Sequence, residues 1–238
     1  MSTQSPNPSN PAYLSDVLRS LFPAAVVVAE LRKPGDLKLL LPAEAEYLGR
    51  AIEKRRREFV GGRLCARRAM AEFGLSDFPL RVAADRQPVW PEFLVGSITH
   101  TAGLCAAAVA DRRYVAAIGL DSEVVGHVVP ELWNTICHAA ESAWLYSLPV
   151  AEQAAAASMI FSAKEAFYKC QYPLSCEWLD FHDLRVEATR WSLVQGAFAV
   201  QSTRSLKISE HADFPVEGQY RFHDEYVSAG VALLSAAP

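Results

Sequence analysis

Apolar positions along this chain follow two rhythms. Short runs rich in Val, Ala, Leu and Tyr, bounded by turn residues, predict strands at Ala24 to Leu31, Val95 to Thr99, Leu104 to Ala110, Tyr114 to Leu120, Leu184 to Glu187, Ala197 to Thr203, Gln219 to Phe222 and Tyr226 to Leu234. Longer periodic stretches predict helices at Ser15 to Leu21, Pro42 to Phe73, Glu141 to Tyr146 and Val150 to Cys170. The two kinds of element do not alternate as parallel βαβ units would require, so the pattern is that of an α+β protein. A faint internal echo runs through it. His100 precedes the run Leu104 to Ala110, and His223 precedes Val227 to Leu233, with Ala106 and Ala229 at the same offset.

The stretch Ala154 to Cys170 is nearly all apolar yet carries Lys164 and Glu165 in its second half. A helix this apolar is buried, and buried charges cost several kcal/mol unless they are paired, hydrogen-bonded or bound to an ion. Two readings follow: either the pair faces something highly charged, or Glu165 and Lys169, four residues apart, form an ordinary ion pair on a solvated helix edge. Upstream, the run Val115 to Leu120 ends abruptly in Asp121-Ser122-Glu123. Side chains two apart on a strand share a face, so Asp121 and Glu123 project two carboxylates together, which is either the polar end of a strand or the way oxygen-only sites for Mg²⁺ are commonly built; Glu165 would complete such a set. In Gly96 to Thr101, small hydroxyl residues and His100 lie between two strand-like runs, where hydroxyl and imidazole groups can donate to phosphate oxygens.

Taken in order, Ser97-Ile98-Thr99-His100, Gly119-Leu120-Asp121-Ser122-Glu123 and Phe161-Ser162-Ala163-Lys164-Glu165-Ala166-Phe167-Tyr168-Lys169 resemble the signature motifs of the Sfp/EntD-type phosphopantetheinyl transferases. The upstream run Arg55 to Arg67 and the segment Gln87-Pro88-Val89-Trp90-Pro91 resemble the siderophore-synthesis branch of that family, and recognisable motifs span Leu14 to Leu179. The resemblance implies two similar α/β halves about a pseudo-twofold axis, with coenzyme A in the cleft between them. It divides the chain into a tail at 1–12, an N-terminal half at 13–118 and a C-terminal half at 119–238. The implied reaction moves the phosphopantetheine arm of coenzyme A onto a serine of an acyl, aryl or peptidyl carrier protein and releases adenosine bisphosphate.

Carried onto this sequence, the resemblance implies Mg²⁺ held by Asp121, the Ser122 backbone carbonyl, Glu123 and Glu165, with Glu165 also the general base. Lys164 and Lys169 would neutralise phosphate charge, Thr99 and His100 would contact the nucleotide end, Arg55 and Arg63 would grip the terminal phosphate and adenine, and Leu179 would make an apolar contact. Related enzymes often place lysines between Leu80 and Pro88; here Arg81 or Arg86 would substitute, with Arg86 favoured because it adjoins the Pro-x-Trp-Pro element. Asp85 in the same loop is expected to turn to solvent or pair with an arginine.

Composition narrows the classes. The six arginines at 55, 56, 57, 63, 67 and 68 lie on one predicted helix, but a net charge of −4 disfavours general polyanion binding, so a nucleic-acid partner is not expected. With 238 residues, 51% hydrophobic and 21% charged, the chain can build a sizeable core. No apolar run is long enough for a membrane span. Met1 to Pro11 lacks the basic and apolar regions of a signal peptide and reads as a disordered tail. Five cysteines without a C-x-x-C pair point to a reducing cytoplasm and to small buried hydrophobes rather than ligands. The expected molecule is a cytoplasmic monomer; the alternative is a non-catalytic coenzyme A or nucleotide binding protein that keeps the cleft.

Overall fold

A computed structural model describes residues 10–49 and 51–235. The first half contains β1 (Tyr13–Leu14), α1 (Asp16–Arg19), β2 (Val26–Leu31), α2 (Pro42–Ala45), α3 (Glu53–Met70), β3 (Leu94–Thr101) and β4 (Leu104–Asp111). The second contains β5 (Val115–Val124), α4 (Pro130–Ile136), α5 (Ala139–Ser147), α6 (Val150–Ser175), β6 (Leu184–Arg190), β7 (Gln195–Ser202), β8 (Val216–His223) and β9 (Tyr226–Leu234). The strands form two antiparallel sheets, ordered β1-β2-β4-β3 and β5-β9-β8-β7-β6. α3 packs on β2 and β4, and α6 on β5 and β9. This mixed architecture is the α+β class that the apolar pattern predicts.

The echo between the halves is a repeat of topology. In each, a strand leads into the long helix and a later hairpin returns beside that strand, giving β2-β4-β3 and β5-β9-β8. Glu30 lies opposite Ala106 and Asp121 opposite Ala229, but the two alanines face different layers, Ala106 away from α3 and Ala229 into the core with α6. The two sheets divide at residues 112–114, so the whole of β5 belongs to the second sheet and the boundary falls earlier than Gly119.

β4 shows why its sequence is so rich in alanine. Cys105, Ala107 and Val109 face a core with α3, while Ala106, Ala108 and Ala110 face a second core with Leu18, Leu21, Ile118 and Leu120. Both faces of the strand are buried, and small side chains let the layers on each side approach. Where the sheets meet, β3 supplies side chains in place of a ladder: Leu120 N donates to Ser97 Oγ at 3.0 Å and Ser122 N to Thr99 Oγ1 at 3.1 Å. Donors of an edge strand are thereby satisfied inside the protein.

Gly119 sets the spacing of β5 and α6. A Cβ there would lie 1.7 Å from the carbonyl oxygen of Ala166, so strand and helix meet backbone against backbone.

Several expectations shift. The helix predicted over Pro42 to Phe73 is interrupted between α2 and α3, where Gly49 takes φ +46, and its last residues, Ala71–Phe73, tighten into a 3₁₀ turn. α6 runs five residues past Cys170 and stops at Cys176, whose left-handed φ of 51 ends it. α4 and β1 lack a strong period and were not predicted. Residues 1–9 of the expected tail lie outside the described residues; at 10–12 the chain is packed, with Asn10 Nδ2 donating to Leu64 O at 3.0 Å and Ala12 buried. Among the described residues no helix is long and apolar enough to cross a membrane.

Candidate active site

β5 carries the first part of the site. Asp121 and Glu123 alternate with Ser122, so the two carboxylates share the face turned away from β9's Ser228. α6 brings the second part, Glu165 and Lys169, one helical turn apart on the face toward β5. Lys169 Nζ donates to Asp121 Oδ1 at 2.7 Å and to Leu120 O at 3.3 Å, and Thr99 Oγ1 lies 3.2 Å from the same carboxylate oxygen. Asp121 is buried, and its other oxygen, Oδ2, has no hydrogen-bond partner. Orphaned buried acceptors are rare and point to a missing donor or cation.

The neighbouring acids report the same excess of negative charge. Burial pushes the Glu123 carboxyl up to about 7, with repulsion from Asp121 adding to it and Lys169 opposing. Glu165 is also raised, by burial first and then by Asp121. One lysine therefore balances three carboxylates only in part. Among the described residues no group of three or more His, Cys, Asp and Glu side chains closes on a metal by itself. A small hard cation does not need such a cage, because Mg²⁺ commonly takes one or two carboxylates and completes its shell with substrate phosphates and water.

Two concavities flank this junction. One of about 380 Å³ is lined by Arg55, Glu58, His100 and His127. In it, Arg55 Nη1 lies 3.4 Å from His100 Nε2, and Glu58 is 3.8 Å from both side chains. Burial lowers the His100 pKa, and Arg55 and Lys169 push the same way against Glu58. The other, of about 490 Å³, is lined by Arg86, Trp90, Tyr168, Lys169, Tyr172 and Trp178. Arg86 reaches it from a turn in which it takes φ +72 and donates its amide to Ala83 O at 2.9 Å. Of the two expected arginines, Arg86 lines this cavity and Arg81 does not; Arg112 lines it as well. Asp85 is exposed, as expected, and accepts from the Gln87 amide nitrogen at 3.2 Å and from Gln87 Nε2 at 2.7 Å.

The structure brings Arg55, Arg86, Thr99, His100, Asp121, Glu123, Glu165 and Lys169 around one junction and leaves three residues elsewhere. Lys164 is corrected outright: it is 1% exposed and donates to Glu141 at 2.7 Å, Ile136 O at 2.8 Å and Phe181 O at 2.9 Å, which exhausts its three protons away from the cleft. One helical residue is a rotation of about 100°, so Lys164 and Glu165 point to different faces. Leu179 is buried in the core of the second half and lines neither concavity. Arg63 lines neither as well; its guanidinium stacks on Phe59 at 4.1 Å, its Nε donates to Leu80 O at 2.9 Å, and burial lowers its pKa to about 10. Ser122 is fully buried with its hydroxyl on Ser228, so only its backbone carbonyl remains for the implied role.

Sequence reasoning missed Glu58, Tyr172 and Trp178. The first two were within reach, since Glu58 is one turn beyond Arg55 and Tyr172 one turn beyond Lys169 on their helices. Trp178, 77% exposed on the segment after α6, carries no periodic signal.

Comparison with known proteins gives two family matches: residues 43–110 match the 4′-phosphopantetheinyl transferase N-terminal domain, and residues 117–227 match the 4′-phosphopantetheinyl transferase superfamily. The chain is 36% identical over 171 residues to the 4′-phosphopantetheinyl transferase Npt of Nocardia iowensis, covering 71% of this chain and 76% of that protein. It is 34% identical over 186 residues to the 4′-phosphopantetheinyl transferase PptT of Mycobacterium tuberculosis, covering 74% and 81%. Enterobactin synthase component D of Salmonella typhi is 36% identical over 128 residues, about half of each chain.

Proposed function

The chain belongs to the 4′-phosphopantetheinyl transferase superfamily, and from that premise we propose how its own residues move the phosphopantetheine arm of coenzyme A to a serine of a carrier protein. The observation that carries the assignment of roles is the junction of β5 and α6, where three carboxylates and one lysine meet beside an unpartnered Asp121 oxygen. The serine oxygen forms a new bond to the phosphorus bearing the arm, the pyrophosphate bond breaks, and adenosine bisphosphate leaves. Phosphoryl transfer of this kind needs positioning and charge neutralisation more than covalent help.

Glu165 takes the serine proton. Its pKa is raised toward the working range of a general base, and Asp121 and Lys169 are its charged neighbours. Lys169 balances the charge of the pyrophosphate while remaining tied to Asp121. Arg55 and His100 receive the terminal phosphate in the smaller concavity, and the aromatic walls of the larger one, with Arg86 at its rim, take the uncharged parts of coenzyme A. The donors present fit Mg²⁺: all are hard oxygens, one is orphaned, and the acids repel one another. Asp121 and Glu123 would hold it, with Glu165 beside them, and it would supply charge neutralisation at the pyrophosphate oxygens.

The test is Glu165→Gln, which keeps the shape and removes the charge. Single-turnover transfer to a saturating apo carrier protein should fall by roughly two to four orders of magnitude, while calorimetric coenzyme A affinity survives much better. Transfer near the parent rate would assign the base elsewhere. A parent protein that binds coenzyme A yet modifies no apo carrier protein would leave only the binding role.

A further inference from the structure

Behind the carboxylates of β5 lies a chain of polar contacts that the transfer reaction does not itself call for. Arg32 Nη2 lies 3.1 Å from His223 Nδ1, His223 Nε2 lies 2.9 Å from Ser228 Oγ, and Ser228 Oγ lies 2.7 Å from Ser122 Oγ. Chemistry fixes the direction of the first links. A guanidinium only donates, so His223 Nδ1 accepts, its proton sits on Nε2 and points to Ser228, and the Ser228 hydroxyl is left to donate to Ser122. Ser122 and Ser228 are both fully buried.

The far end is anchored in the other half of the molecule. Arg32 Nε donates to Glu30 Oε1 at 3.2 Å, Arg32 also pairs with Asp224, and Glu30 accepts from Tyr13 at 2.7 Å and Ser15 at 2.9 Å. Glu30 lies opposite Ala106, on the sheet face turned away from α3. The Glu30 acid is thus already neutralised from within the chain.

We propose that Arg32, His223 and Ser228 form a positioning chain that anchors Ser122 from behind and so fixes the spacing of the Asp121 and Glu123 carboxylates for a divalent cation. This rests on the cation reading of those carboxylates. Side chains alternate along a strand, so holding Ser122 against β9 holds its two neighbours toward the cleft. Groups one step removed from a metal commonly act this way, and losing them costs about 10- to 100-fold in metal affinity.

The experiment measures Mn²⁺ binding to the full chain by electron paramagnetic resonance, without coenzyme A, for the parent, Ser228→Ala, His223→Leu and His223→Gln. Half-saturating Mn²⁺ should rise about tenfold or more in Ser228→Ala and His223→Leu, and remain within about threefold of the parent in His223→Gln, whose amide can still donate to Ser228. In transfer assays the same two variants should need more Mg²⁺ but approach the parent kcat once it saturates. A parent that binds Mn²⁺ with variants that bind it equally well overturns the positioning chain alone. A parent that binds no Mn²⁺ overturns the cation reading and the chain together. Should Ser228→Ala not fold, the half-buried His223→Leu decides the question.

Discussion

On the back of α6, Lys164 meets Glu141 at 2.7 Å; on its front, Lys169 meets Asp121 at the same distance. At the back, Lys164 has three acceptors, while Glu141 takes Val186 N on one oxygen and both Lys164 and His138 N on the other. Every strong donor and acceptor is used. At the front, one oxygen of Asp121 is orphaned, and neither Glu123 nor Glu165 has an ion-pair partner among the described residues. Equal distance therefore says little about role. A saturated pair in the interior is architecture, tying α4, α5, α6 and β6 into one unit, whereas an unsaturated one beside a cavity is capacity held for a ligand.

The largest effect expected from this contrast is at the back. Lys164→Ala leaves Glu141 buried without its counter-charge and should cost about 3–5 kcal/mol in denaturant unfolding. Pairing it with Glu141→Gln should recover part of the loss. A cost under about 1 kcal/mol, the range of an exposed pair, would show that the two lysines do not differ in kind.

At the front, Lys169→Met should leave stability within about 1 kcal/mol, because the pair is partly exposed, but weaken coenzyme A binding about tenfold through a lost charge-assisted contact. Calorimetry on both variants sharpens the comparison: Lys164→Ala should bind coenzyme A near the parent affinity wherever it is folded. The reverse ranking would exchange the roles of the two faces.

The smallest effect is a pH dependence. Glu123 titrates at about 7 in the folded protein against 4.5 for the free group, so the folded state keeps a proton that the unfolded state gives up. Stability contributed by that proton is present below 4.5 and is lost as pH rises toward 7. Without divalent cations, the Tm of the parent should therefore fall relative to Glu123→Gln by a few degrees between about pH 5 and about pH 8. Added Mg²⁺ should shrink the difference. Parallel curves for parent and variant would mean that Glu123 is not strained by its neighbours.

Much of this was legible in the sequence where a period exists. The strand Tyr226–Leu234 has the limits that its apolar run predicts. Asp121 and Glu123 were legible because alternation on a strand is strict. Lys164 was not, because neighbours in a motif read as neighbours in space, while a helix turns consecutive side chains to different faces and only the partner, Glu141, reveals which is inside. Arg63 failed for a similar reason: it lies on the predicted helix, but its guanidinium turns inward onto Phe59 and Leu80 O. Trp178 follows a helix end, where no repeat constrains the reading.

The contact at Gly119 has one more consequence. Because β5 and α6 touch through main-chain atoms there, no side chain is left between them to be trimmed or enlarged. Neither evolution nor an engineer can retune the separation of Asp121 from Glu165 in small steps at that point. Variation is left to side chains that line the neighbouring cavity, such as Trp178 and Tyr172, while the frame set by main-chain atoms is inherited whole.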